Sequence, residues 1–135
     1  EGSVDFILSQ AVLEHVRDLP RTYRALWRWL KPGGLLSSQI DFGCHGRAER
    51  WNGHWSYPGW MWAIIQGNRN RCFMNRRPHD DHIRCLREAG FELLLDIKRT
   101  DGSGIGRRSL ARQFRDMSDE DLRTGGAYIL AKKPA

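Results

Sequence analysis

The sequence predicts an α/β fold in one domain, and three observations predict it. Short apolar runs of strand length lie at 4–8, 35–40, 91–97 and 127–131. Segments with apolar residues at helical spacing stand between them. Glycine and proline mark the junctions. Alternating strands and helices imply right-handed crossovers, and so a parallel arrangement of the first strands. At 135 residues the chain is long enough for one real core.

Each element follows from local chemistry. Residues 4–8 form an apolar run of the kind that fills a buried parallel strand, ending at Ser9-Gln10. Asp18 is a plausible N-cap and Pro20 suits a first helical turn, while Leu19, Tyr23, Leu26, Trp27 and Leu30 keep helical spacing. Lys31-Pro32-Gly33-Gly34 is expected to stop that helix, because proline lacks a donor and glycine accepts positive φ. Residues 35–40 read as the second strand, with Asp41 directly after it. A second helix opens at Pro78-His79-Asp80-Asp81, with Ile83, Leu86 and Ala89 on one side and acidic residues where the helix dipole favours them. Gly90 ends it, 91–97 is a third strand, and a polar glycine-bearing loop leads to a short helical stretch at 110–114 and a fourth strand at 127–131.

Composition narrows the function classes. With 40% apolar and 28% charged residues the chain is neither disordered nor a low-complexity repeat. The longest unbroken apolar run, 60–65, is too short to cross a bilayer, and the first residues lack a signal-peptide layout. Three cysteines, Cys44, Cys72 and Cys85, form no C-x-x-C pair and fit a reducing cytoplasm. The chain opens at Glu1, without a methionine, inside what reads at once as a strand, so it is expected to be a piece of something longer. Net charge is +6, and residues 43–77 carry most of it, with six arginines against Glu49 alone. The same segment holds Trp51, Trp55, Trp60 and Trp62. Arginine and tryptophan together suit anionic, ring-bearing ligands, and single-stranded nucleic acid is gripped in the same way. The plainer reading is a short helix or lid whose arginines are solvated and cover apolar surface with their stems.

The run from Val4 to Val16, ending Leu13-Glu14-His15-Val16, and the later Leu30-Lys31-Pro32-Gly33-Gly34-Leu35-Leu36 resemble the middle of a class I S-adenosylmethionine-dependent methyltransferase. They are similar to that family's fourth strand, cofactor loop, crossing helix and turn into the fifth strand. Asn75-Arg76 before a helix, Glu88-Ala89-Gly90-Phe91-Glu92 and residues 127–132 resemble its sixth and seventh strands with their approaches. The resemblance implies a partial Rossmann-like sheet in the order 4-5-7-6, with the last strand inserted antiparallel, flanking helices, and a cationic aromatic lid at 43–77. The first three strands and the glycine-rich cofactor turn would belong to a missing N-terminal half, so the fragment alone is expected to be inactive. Asp101-Gly102-Ser103-Gly104-Ile105-Gly106 does not replace that turn: no second strand ending in an acidic residue follows it, and a flexible loop is the better reading.

The same resemblance implies S-adenosyl-L-methionine as cofactor and a small, anionic or glycan-like molecule as methyl acceptor. Ser9, Gln10 and Ala11 would line the methionine end of the cofactor, with His15 beside them and Glu14 fixing the loop. His45 would accept a proton from the acceptor or orient it, helped by Asp41. Tyr57, Trp60, Asn75 and Arg76 would touch the acceptor from the lid. No metal is expected: His79-Asp80-Asp81-His82 has metal-type residues but reads better as a helix cap. The competing function is a non-catalytic nucleic-acid-binding module built on the Arg/Trp segment; nucleic acid is the less favoured partner, and no membrane contact is expected.

Overall fold

The computed structural model describes residues 2–67 and 72–135. Four strands form one sheet: β1 (Val4–Gln10), β2 (Leu30–Asp41), β3 (Glu92–Thr100) and β4 (Thr124–Lys132), in the order β1-β2-β4-β3. β1 and β2 are parallel, and β4 runs antiparallel to both its neighbours. This is the expected arrangement, with the last strand threaded between the second and third.

The crossover from β1 to β2 is α1 (Leu19–Trp29). Asp18 caps it by accepting a hydrogen bond from the Arg21 amide at 2.9 Å, and Pro20 lies in its first turn. The helix ends one residue earlier than its periodicity suggests. Leu30 is already extended, and Lys31 to Gly34 form a bulge inside β2, since Val4 pairs with Leu30 but Phe6 pairs with Leu35. Gly33 takes φ +80°. A Cβ on Gly34 would come within 3.1 Å of the Asp5 carbonyl oxygen, so the bulge needs glycine for close approach to β1.

The core lies on one face of the sheet. Leu36 and Ile40 of β2 and Ala127, Ile129 and Ala131 of β4 pack beneath Leu19, Tyr23 and Leu26 of α1 and Ile83 and Leu86 of α3 (His79–Glu88). The opposite face is bare: Phe6, Leu8, Ile97 and Tyr128 are all exposed, Leu8 to 69%.

Several details differ from expectation. His79 and His82 are not cap residues: both are buried, His79 on the Asp96 carboxylate at 2.9 Å and His82 on the Tyr23 hydroxyl at 3.1 Å. The helical stretch near 110–114 shrinks to a single 3₁₀ turn, Arg112–Phe114. A short helix, α4 (Asp119–Arg123), is added after it, capped by the Ser118 hydroxyl. The glycine loop at 101–106 is fastened rather than loose, because buried Asn52 accepts from the Ile105 amide at 2.6 Å and donates to the Leu122 carbonyl at 3.0 Å. A Cβ on Gly104 would stand 2.4 Å from the Asn52 amide, which explains the middle glycine without any cofactor.

Among the described residues no helix is long and apolar enough to cross a membrane. Cys44, Cys72 and Cys85 are free.

Candidate active site

Parallel pairing of β1 and β2 puts their C-terminal tips on one rim. Ser9 pairs with Ser38 and Gln10 with Gln39, and the Ala11 amide donates to the Gln39 carbonyl at 2.9 Å. Ala11 then takes φ +51° and turns the chain off the sheet. Gln10 and Ala11 reach the rim exposed, whereas Ser9 is buried with its hydroxyl unpaired. Where β2 ends, Asp41 accepts from the Gly43 amide at 2.8 Å, closing a tight turn. His45 and Gly46 follow at φ +51° and +72°, folding the chain back so that His45 faces the tip it has just left.

Asp41 is the hub. One carboxylate oxygen is 3.7 Å from His45 Nε2, and the other is 3.7 Å from the Arg99 guanidinium at the end of β3. Two clefts meet there. One, about 440 Å³, is lined by Gln10, Ala11, Gln39, Asp41, Arg99 and Tyr128. The other, about 270 Å³, is lined by Asp41, Cys44, His45, Trp51 and Arg99 among others. Asp41 and Arg99 are thus the ridge between a cleft on the β1 side and a cleft over the turn after β2.

His15 comes from the 3₁₀ turn Leu13–His15 and meets His45 edge to face, ring centroids 5.3 Å apart. Its Nδ1 is 2.6 Å from the Phe73 carbonyl, to which it donates. Nε2 looks toward Glu14 Oε1 at 4.0 Å. Burial pushes the Glu14 carboxyl above its ordinary range; its own amide and His15 act the other way, and Asp41 adds to the rise. Asn75 fixes this turn, its side chain donating to the Leu13 carbonyl at 2.8 Å and the Val16 carbonyl at 3.1 Å while its amide donates to the Glu14 carbonyl.

The structure therefore brings Gln10, Ala11, His15, Asp41, His45 and Asn75 to one end of the sheet. Tyr57 and Arg76 sit apart in an aromatic knot. The Arg76 guanidinium is buried between Trp62 and Phe114, each ring 5.0 Å away, and donates to the His54 and Tyr57 carbonyls. Burial pulls its pKa down to about 10. Tyr57 stacks on Trp62. Trp60 projects from α2 (Gly59–Gln66), 66% exposed.

The arginines of the 43–77 segment are more engaged than a solvated surface implies. Arg47 is buried and donates to the Cys72 carbonyl, Arg50 donates to the Ser103 carbonyl, and Arg77 pairs with Asp81. Arg69 and Arg71 lie outside the described residues. Sequence reasoning missed Arg99, which no motif marks and only the sheet order carries to Asp41, and it gave Glu14 only a loop-fixing role.

A family model described as a methyltransferase domain matches residues 1–95. No curated protein matches the chain in sequence. In structure it is similar to an S-adenosylmethionine dependent methyltransferase from Mesorhizobium loti, with a TM-score of 0.59 and 15% identity over 97% of this chain and 62% of that one. It is similar to a SAM-dependent methyltransferase from Methanosarcina mazei, with a TM-score of 0.59 and 17% identity over 98% and 60%. The cyclase SpnF has the same fold, with a TM-score of 0.58 and 18% identity over 99% and 51%. At such identities the likeness is one of fold, and the chain spans between about half and three-fifths of the length of these structures. With the family match over residues 1–95 and a sheet in the order and directions of the class, the chain belongs to the class I S-adenosylmethionine-dependent methyltransferases.

Proposed function

We propose that the protein transfers a methyl group from S-adenosyl-L-methionine to a small anionic acceptor, and that these residues form the acceptor-side half of its catalytic domain. One observation carries the reading: the rim residues Gln10 and Ala11 and the pair Asp41 and His45 occupy the same end of a parallel β1–β2 pair, on two clefts that share Asp41. Ligands of open α/β sheets bind beyond the carboxyl ends of the strands. The bare edge of β1 and the exposed Phe6, Leu8, Ile97 and Tyr128 support a larger sheet domain in which other strands and helices cover them.

The residues present fit such a cofactor. Gln10, Gln39, Asp41 and Arg99 give the larger cleft amide, carboxylate and guanidinium groups, the set that a zwitterionic amino-acid end requires. When bound, S-adenosyl-L-methionine supplies an electrophilic methyl group on a sulfonium. The chain's own contribution is alignment and exclusion of water. His45, held by Asp41, faces the second cleft, where it takes a proton from an acceptor hydroxyl or amine. Arg99 draws an acidic acceptor to the same ridge. A nucleic-acid surface has weaker support, since Arg47 and Arg76 spend their guanidiniums on backbone carbonyls.

Calorimetric titration of the protein with S-adenosylhomocysteine tests the reading. Saturable binding that weakens in D41N is expected; absence of binding by the intact protein would refute it.

A further inference from the structure

We propose that Glu14, His15 and His45 form a binding site for a divalent transition-metal ion at the rim between the two clefts. One ligating atom from each lies within 4.8 Å of the others. Two imidazoles and a carboxylate on one side of an ion, with further positions open, are a recurrent set for such metals.

Glu14 is the observation that points to a ligand. It is only 3% exposed, yet neither carboxylate oxygen has a hydrogen-bond partner among the described residues. Its own amide and that of Asp41 are near enough to bias its charge, but neither makes a hydrogen bond to it. A buried carboxylate without a donor is costly, and something positive normally satisfies it. Neither histidine it faces comes within hydrogen-bond distance of it. The Phe73 carbonyl engages His15 Nδ1, so Nε2 is the nitrogen that faces Glu14, at 4.0 Å and beyond hydrogen-bond reach. Two imidazoles and a carboxylate thus converge with no hydrogen bond joining them.

The chain goes to some trouble to build this convergence. His45 sits at φ +51°, a conformation uncommon outside glycine, and that turn brings its ring onto His15. Asn75 pins both ends of the Leu13–His15 turn. Asp41, 3.7 Å from His45 Nε2, is placed as the outer carboxylate that orients a ligating histidine. Ligands sharing an ion at about 2.1 Å stand roughly 3 to 3.5 Å apart, so side-chain rotations of about an ångström close the set. With an ion bound, His45 ligates instead of taking the acceptor's proton, and the ion's open positions, facing the cleft lined by Asp41 and His45, suit an oxygen of the acceptor. This last role rests on the methyltransferase reading; the metal site itself does not.

The test is Mn²⁺ binding followed by electron paramagnetic resonance, with Zn²⁺ calorimetry alongside. Mn²⁺ discriminates against the exposed Cys72 thiol, and C72S provides the Zn²⁺ background. One ion per chain is expected, with affinity reduced at least tenfold in E14Q and in H45N. The second variant suits the positive φ and alters an exposed residue, so its fold is retained. D121N, which alters a separate group of His79, Asp80 and Asp121, is expected to leave affinity unchanged. Failure to bind either metal, or binding that survives both E14Q and H45N, overturns the site. S-adenosylhomocysteine titrated in parallel into the intact protein keeps the two readings separate: cofactor binding without metal refutes the metal site alone, and metal binding without cofactor refutes the methyltransferase function alone.

Discussion

His82 lies fully buried between α1 and the sheet, with Nδ1 on the Tyr23 hydroxyl, Phe42 edge-on at 5.5 Å, and Nε2 without a partner. Protonating it would place a charge and two N–H donors where one acceptor exists. Burial, reinforced by neighbouring His79, therefore pulls its pKa from 6.5 down to about 3. The folded pKa is below the unfolded one, so the unfolded chain takes up a proton that the folded chain refuses. The associated stability is complete above 6.5 and is lost as the pH falls toward 3. The loss is about 1.4 kcal/mol per pH unit, or roughly 2.7 kcal/mol by pH 4.5. H82N keeps a polar atom near the Tyr23 hydroxyl but does not titrate. At pH 8 the variant should be less stable by about 2 to 3 kcal/mol, for the lost ring contacts and the space left behind. On acidification the two stability curves should converge and cross between about pH 5 and pH 4. Urea unfolding at a series of pH values measures the difference directly. Other titrating groups, His54 and Glu14 among them, are common to both proteins and cancel. A difference that stays constant from pH 7 to pH 4.5 would mean that the folded chain takes up the His82 proton as readily as the unfolded one, and the burial account would be wrong.

Asp121 has the opposite sign. Burial raises its carboxyl from 3.8 to about 6, so the stability tied to its neutral form is present below 3.8 and lost as pH rises through 6. D121N keeps the acceptor for the Asp80 amide and should stabilise the protein by about 1 to 3 kcal/mol at pH 7 but not at pH 3.5, as thermal unfolding at the two pH values will register. G104A should cost about 1 to 3 kcal/mol, because its methyl group would press on the buried Asn52 amide; unchanged urea midpoints would remove the clamp. N75A should weaken S-adenosylhomocysteine binding while costing roughly 1 to 3 kcal/mol of stability, since it frees both ends of the turn carrying Glu14 and His15. R77A should change stability by less than about 1 kcal/mol in low salt and less still in high salt, its pair with Asp81 being half exposed.

The sheet was legible in the sequence because its signals are local. The run before Ser9 and the alternation around Ile40 and Ile129 state strands by themselves, and the resemblance supplies the order in which they pair. The stretch Lys31-Pro32-Gly33-Gly34 was legible as a break but not as a bulge, since only the neighbouring strand reveals why Gly34 must lack a Cβ. His79 and His82 illustrate the same limit. Beside two aspartates at a helix start they look like capping chemistry, and the partners that make them core residues, Asp96 and Tyr23, are 17 and 59 positions away.

The site divides along the same line. Gln10, Ala11 and Asp41 follow directly from strand ends, so a reading of strands finds them. What makes the rim chemically specific comes from backbone that periodicity cannot see: positive φ at Ala11 and His45, and a carbonyl from Phe73 that fixes which nitrogen of His15 faces Glu14. Glu14 in the sequence is one acidic residue in a loop motif. Only the fold takes it out of water without giving it a donor, and beside two histidines separated by thirty positions in the chain that is a different kind of carboxylate. Arg99 reaches Asp41 because β4 is inserted antiparallel between β2 and β3 and leaves only Gly125 and Gly126 between them, so that a long side chain can lie across a strand lacking any of its own there. A substitution such as G126V would fill that passage, where a Cβ already comes within 3.1 Å of the Arg99 guanidinium, and should separate Arg99 from Asp41 while sparing the sheet order. Affinity for an anionic acceptor should then fall in G126V as far as it falls in R99A; if G126V binds the acceptor like the unmodified protein, Arg99 does not act through that passage.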